Sequence, residues 1–120
     1  RLGGGDPVQT PADARGADRV ELLTERTHLF IAWELTDDAL GVARRQVRYS
    51  GQTVLRLFTA QAGRRGVRTT TRDFDLEYHC GNCTLSGMPT PAVFTAAVGF
   101  LGRNGAFVPM ARALPVTAEG

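Results

Sequence analysis

The sequence predicts a mainly β domain: an antiparallel, Ig-like β-sandwich of about six to seven strands, with one α-helix inserted after the second strand. Three observations carry that expectation. Apolar and polar residues alternate in short segments, most cleanly where Phe74, Leu76 and Tyr78 interleave with Asp73, Asp75 and Glu77. Turn-forming residues recur at roughly ten-residue spacing, as in sandwiches. Only one segment has helical periodicity, so the repeated βαβ alternation of a parallel sheet is missing.

The elements follow in order. Residues 1–17, RLGGGDPVQTPADARGA, are rich in glycine, proline and small polar residues, and read as a flexible linker or tail. The domain is expected over 18–117. Val20, Leu22 and Leu23 mark a first strand, and Glu25-Arg26 turns the chain into a second, Thr27 to Leu35. This second strand is the centre of the reading. It holds the only tryptophan and the apolar run Leu29 to Trp33, which fits a strand buried on both faces or one with a single crowded face. Trp33 is expected in the core.

Thr36-Asp37-Asp38 is a helix start, with a hydroxyl cap and acids at the positive end of the helix dipole. Leu40, Ala43 and Val47 fall three and four apart, and Arg44, Arg45 and Arg48 come late, so the spacing predicts a helix over 37–48. Thr53 to Thr59 alternates as a strand, and 60–71 reads as a loop with two glycines. The next strand ends near His79. Gly81-Asn82 reads as a hairpin turn between Cys80 and Cys83. Ala92 to Leu101 and Ala106 to Leu114 form a further hairpin, and the chain frays from Pro115.

Four blocks resemble a known family in order and spacing. They are Leu29-Phe30-x-x-Trp33-Glu34-Leu35, Val54-Leu55-Arg56-Leu57, Phe94-x-Ala96-x-Val98-Gly99-Phe100 and Gly105-x-Phe107-Val108-Pro109-Met110-Ala111-Arg112. Together they resemble the bacterial DUF4912 domains, over about residues 18–117. The resemblance implies a β-sandwich module of unassigned function, some relatives of which sit beside a Rho-N-like domain associated with nucleic acids. It supplies no catalytic residues. The chain departs from the family pattern at Cys83-Thr84, where aromatic residues are usual, and at Ala113, where serine is common.

Charge is segregated. Residues 1–40 hold four arginines against eight carboxylates, residues 41–72 hold eight arginines and no carboxylate, and residues 73–120 hold two arginines against four carboxylates. No lysine is present. If the helix and the loop converge, Arg44, Arg45, Arg48, Tyr49, Arg64, Arg65 and Arg68 form a basic patch with an aromatic, suited to phosphates or to an acidic protein surface. A solvated helix face with local ion pairs is the competing reading.

Cys80 and Cys83, with His79 beside them, read as a candidate disulfide across a turn or as two free thiols; a single-chain zinc site would lack ligands. The alternating Asp73, Asp75 and Glu77 could hold a hard cation but fit the solvated face of a strand better. No motif for a nucleophile, a phosphate loop or a zinc protease appears, and two histidines give little acid–base material. The expectation is a non-catalytic module without metal or cofactor. It engages a protein partner first, nucleic acid through the 41–72 arginines second, and a glycan third, through Tyr49, Tyr78 and Phe107. No window is apolar enough to insert in a membrane and no targeting segment is visible, which fits the bacterial cytoplasm. A start at Arg1 suits a fragment of a longer chain.

Overall fold

Trp33 sits at the middle of the molecule, 1% exposed, with its indole Nε1 donating to the Tyr78 carbonyl at 2.9 Å. Its strand, His28–Glu34, alternates Leu29, Ile31 and Trp33 inward with Phe30 and Ala32 outward. The apolar run is therefore a strand with one crowded face, and its second face carries a half-buried phenylalanine.

The computed structural model describes residues 6–46 and 51–119. The elements are β1 (Thr10–Pro11), β2 (Arg19–Glu25), β3 (His28–Glu34), α1 (Asp37–Gln46), β4 (Gly51–Gly63), β5 (Gly66–Asp75), β6 (Cys80–Leu85), β7 (Ala92–Gly102), β8 (Phe107–Arg112) and β9 (Val116–Ala118). One antiparallel sheet has the order β1-β6-β3-β2 and the other β5-β4-β7-β8, with β9 paired to the start of β7. The sheets stack as a sandwich. Leu29, Ile31, Trp33 and Leu85 face Leu55, Leu57, Phe74, Phe94, Ala96 and Val98 across the core. The four family-like blocks fall on β3, β4, β7 and the turn into β8, the strands that build this core.

The mainly β, two-sheet antiparallel sandwich with one helix is as expected, with six differences. Nine strands occur among the described residues rather than six to seven, and the helix follows the third strand rather than the second. The added early strand is β1, inside the segment read as a tail. From residue 6 onward that segment lies on the sheet. Thr10 and Pro11 pair with Asn82 and Gly81, and Ala12 N–H donates to the Cys80 carbonyl at 3.0 Å. Small residues there allow close approach to the sheet rather than marking disorder. At the other end, residues after Pro115 form β9 instead of fraying.

The 60–71 loop is instead a long hairpin. Gly63 pairs with Gly66 across Arg64-Arg65, and β4 and β5 stay in register to Val54↔Asp75. Two glycines flanking a two-residue turn, followed by β-branched threonines, make a hairpin, with Gly66 at φ 112°. The expected turn at Cys80-Gly81-Asn82-Cys83 is the interior of β6, which pairs with β3 on one side and β1 on the other. Gly81 serves close packing there. A Cβ on it would lie 2.7 Å from the Thr10 carbonyl oxygen and 3.2 Å from the Trp33 ring.

The helix begins as expected. Thr36 caps it, its hydroxyl accepting from the Ala39 N–H, while Asp18 accepts from both the Thr36 N–H and its hydroxyl. Leu40 and Ala43 pack on Phe100, with Val108 and Met110 beside them. The helix is described to Gln46; Val47, Arg48, Tyr49 and Ser50 lie outside the described residues. Among the described residues, no helix is long and apolar enough to cross a membrane.

Candidate interaction surface

The expected basic patch is split by the length of β4. Arg44 lies over the Phe100 ring, 5.9 Å from its centroid, and Phe100 pairs with Thr53 near the start of β4. Arg45 folds back along the helix toward Gly41. Arg64 and Arg65 form the turn after Gly63 at the other end. Ten residue steps separate Thr53 from Gly63, roughly 33 Å of strand at roughly 3.3 Å per step. The helix arginines and the hairpin arginines therefore stand at opposite ends of the sandwich. Arg48 and Tyr49 lie outside the described residues.

The structure does bring Arg64, Arg65 and Arg68 together, on the projecting end of the β4–β5 hairpin. Every residue from Ala62 to Arg72 is exposed. Among the described residues, no carboxylate pairs with Arg64, Arg65 or Arg68. The next arginine down the strand, Arg72, stacks on Phe74 at 4.5 Å and reaches Asp6 at 3.9 Å.

β5 is also the edge of its sheet. Hydrogen-bonded and non-bonded pairs alternate in an antiparallel ladder. Leu76 N–H donates to the Thr53 carbonyl at 3.0 Å, so Phe74, Arg72, Thr70 and Arg68 direct their main-chain groups toward β4. Val67, Thr69, Thr71 and Asp73 direct theirs outward. The side-chain amide of Gln9 bonds to the main chain at the end of this edge. Its Nε2 donates to the Asp75 carbonyl at 2.7 Å, and its Oε1 accepts from the Glu77 N–H at 2.8 Å. One donor and one acceptor spaced this way reproduce what a neighbouring strand's peptide groups present. Reading the sequence missed this edge because the 60–71 segment read as a loop; Gly63 and Gly66 around two residues were the available signal.

The cysteines are not a pair. Cys80 and Cys83 are three residues apart on one strand, so their side chains leave on opposite faces, with Cα atoms about 10 Å apart. Disulfides need about 7 Å or less. Both are free thiols, and the candidate disulfide is corrected on that ground. Cys83 points into the core, where burial pushes its thiol up to about 11. Cys80 faces outward and donates weakly to the Asp13 carbonyl at 3.4 Å.

Next to Cys80, Glu34 is 2% exposed and accepts from the Arg15 N–H at 3.0 Å, the Gly16 N–H at 2.7 Å and Arg19 Nε at 3.4 Å. The Arg15 N–H does most to hold this carboxyl below its ordinary range, against the opposing cost of burial, with Gly16, Arg19 and Ala17 adding to the lowering. Glu34 thus anchors the strap of chain that crosses from β1 to β2.

The other named residues are engaged elsewhere. Asp73 holds Arg56 through two bonds, at 2.9 and 3.1 Å, and raises the affinity of that guanidinium for its proton. Arg56 in turn covers one face of the Phe107 ring, 4.5 Å from its centroid. Asp75 accepts from Gln52 at 2.7 Å. Among the described residues no group of three or more metal-type ligands is assembled. Tyr78 is 38% exposed and Trp33 is buried. The outer face of the first sheet carries a shallow depression of about 320 Å³ around Leu23, Phe30, Ala32 and Thr84, with His28 stacked on Phe30 at 6.3 Å.

No family model matches the chain, and no curated protein is similar to it. Among solved structures it is similar to a pectate lyase, Pel3 from Pectobacterium carotovorum, at a TM-score of 0.44 and 8% identity. The match covers 81% of this chain and 26% of the lyase chain. A likeness at that level carries no argument about what this domain does.

Proposed function

We propose that this domain is a non-catalytic interaction module of the DUF4912 type that engages a protein partner through the β4–β5 arm. One observation carries the reading: the edge of β5 from Val67 to Asp73 presents outward main-chain groups that no described strand covers. Such edges are templates for pairing with another chain. Kinship with DUF4912 domains, and the finer placement among Ig-like sandwiches, rests on the four blocks and their positions on the core strands.

The test is site-specific photocrosslinking in the native host, with the crosslinker at Thr69 and a control at Leu23 on the far sheet. A recurrent protein adduct at Thr69, weakened by Arg64→Glu, Arg65→Glu and Arg68→Glu together, supports the reading. Equal adducts at Leu23 would count against it.

A second reading is favoured by the shape of the arm. Arg64 and Arg65 cap a two-stranded ribbon, a form that the major groove of DNA admits. Titration with single-stranded and duplex nucleic acid at two salt concentrations tests it. Affinity falling steeply with salt, and lost in the triple variant, would move the assignment to nucleic acid.

A further inference from the structure

We infer that the partner supplies an extended acidic segment, which adds to the open edge of β5 as a further strand; this rests on the protein-binding reading above. Two independent features of one strand converge on that occupant. The first is the edge itself. The main-chain groups of Val67, Thr69, Thr71 and Asp73 point away from β4, and successive outward residues lie about 6.6 Å apart, the repeat of any extended peptide laid beside them.

That this edge accepts a peptide-like group is already visible one step further along. The Gln9 carboxamide occupies the position at Asp75 and Glu77, giving one hydrogen bond and taking one. Gln9 closes only that end, and among the described residues no strand pairs with the edge toward the hairpin tip.

The second feature is charge. Arg68 lies on the open strand and Arg64 and Arg65 lie at the turn beyond it, all exposed and none paired with a carboxylate among the described residues. An added strand places its side chains beside those of β5, where opposite charges stabilise a cross-strand pair and like charges oppose it. Carboxylates at alternate positions of the incoming segment would meet Arg68 and the turn arginines. Asp73 at the far end sets a limit on the acidic stretch, since it is a carboxylate already held by Arg56. Nucleic acid would use the arginines and leave the outward amides unused, so the strand-adding peptide accounts for more of what the arm presents.

The probe is a capped octapeptide of alternating valine and glutamate. It is titrated against the intact domain, followed by amide chemical shifts and hydrogen exchange. Two companions separate the contributions. One is the same octapeptide with alternate amides N-methylated, which keeps the charge and removes the edge hydrogen bonds. The other is a thymidine 15-mer, a polyanion without peptide amides. Expected are slowed exchange at the Val67, Thr69 and Thr71 amides, at least tenfold weaker binding of the N-methylated peptide, and at least tenfold weaker binding by the Arg64→Ala, Arg65→Ala, Arg68→Ala variant. Thr69→Pro removes one outward N–H without touching the β4 ladder. It is expected to abolish binding while leaving the thermal transition in place.

Binding that ignores N-methylation and Thr69→Pro, yet falls in the arginine variant, overturns strand addition and leaves protein binding through the arm standing. Preference for the 15-mer with the same arginine dependence overturns both and assigns the arm to nucleic acid. No octapeptide binding at millimolar concentration overturns strand addition alone.

Discussion

Replacing Gly81 by alanine tests whether the Cys80–Cys83 segment is a strand interior or a turn. In the structure the new Cβ would stand 2.7 Å from the Thr10 carbonyl oxygen, closer than real Cβ atoms come, and 3.2 Å from Cζ2 of Trp33. Neither neighbour is the free end of a flexible side chain. Thr10 belongs to the paired main chain of β1, and Trp33 is 1% exposed and held by its bond to Tyr78. One of the two must give. Overpacking at such a site costs about 1–3 kcal/mol. For a domain of this size that lowers Tm by roughly 4–12 °C. The cheaper relief is for β1 to lift, which releases the Ala12–Cys80 hydrogen bond. The assay is thermal unfolding with amide exchange at Ala12, beside the control Asn82→Ala. Asn82 is exposed on the outer face, and its replacement is expected to change stability by less than about 0.5 kcal/mol. A turn would make Asn82 matter as much as Gly81. An unchanged Tm in Gly81→Ala, with Ala12 still protected, would refute the packing described here.

Other expectations follow from the anchors. The carboxyl of Glu34 is held below its ordinary value of 4.5, so its hold on the strap is fully present above that value and is lost as pH falls through the lower folded-state value. Protection factors of the Arg15 and Gly16 amides, that is exchange corrected for its intrinsic pH dependence, should fall in that acidic window, and Glu34→Gln should give low protection factors that do not change with pH there. Cys83, with its thiol pushed up to about 11, should resist thiol reagents at neutral pH until the protein unfolds, and mild oxidants should leave no Cys80–Cys83 bridge by mass. A double-mutant cycle of Arg56→Met with Asp73→Asn should return a coupling of about 0.5–1 kcal/mol, because the pair is bidentate but 27% and 36% exposed. A coupling near zero would mean that the Phe107 contact, not the carboxylate, holds Arg56.

Local chemistry was legible where one short-range rule decided the outcome. Thr36 capped its helix because hydroxyl, acids and apolar spacing agreed, and Trp33 was buried because its neighbours left it no polar surroundings. Gly81 was misread because a glycine serves two ends, a turn or a close approach, and only the position of Thr10, 71 residues away in sequence, separates them. The proline-containing early segment was misread for a related reason. Its anchors are a buried glutamate and a strand edge supplied by distant residues, and no local pattern announces them. The arginine patch failed on geometry: Arg44 and Arg45 on the helix and Arg64, Arg65 and Arg68 on the hairpin are held apart by the length of β4.

That spreading bears on what the arm can select. Proteins blunt exposed edges with charge, and the arginines of the β4–β5 arm would act in that way against a second copy of the same domain. Two β5 edges side by side would set guanidinium against guanidinium, with Asp73 already engaged by Arg56. Blunting by one sign of charge is selective, however, since it opposes pairing with a like edge and favours a partner of opposite sign. The hydrogen-bonding groups remain available, because the arginines leave the outward amides of Val67, Thr69 and Thr71 uncovered. An edge protected only by shape, such as a bulge or a proline, would refuse every strand alike. On the proposal above, the charge that would oppose pairing with a second copy is the same one that would favour an acidic partner.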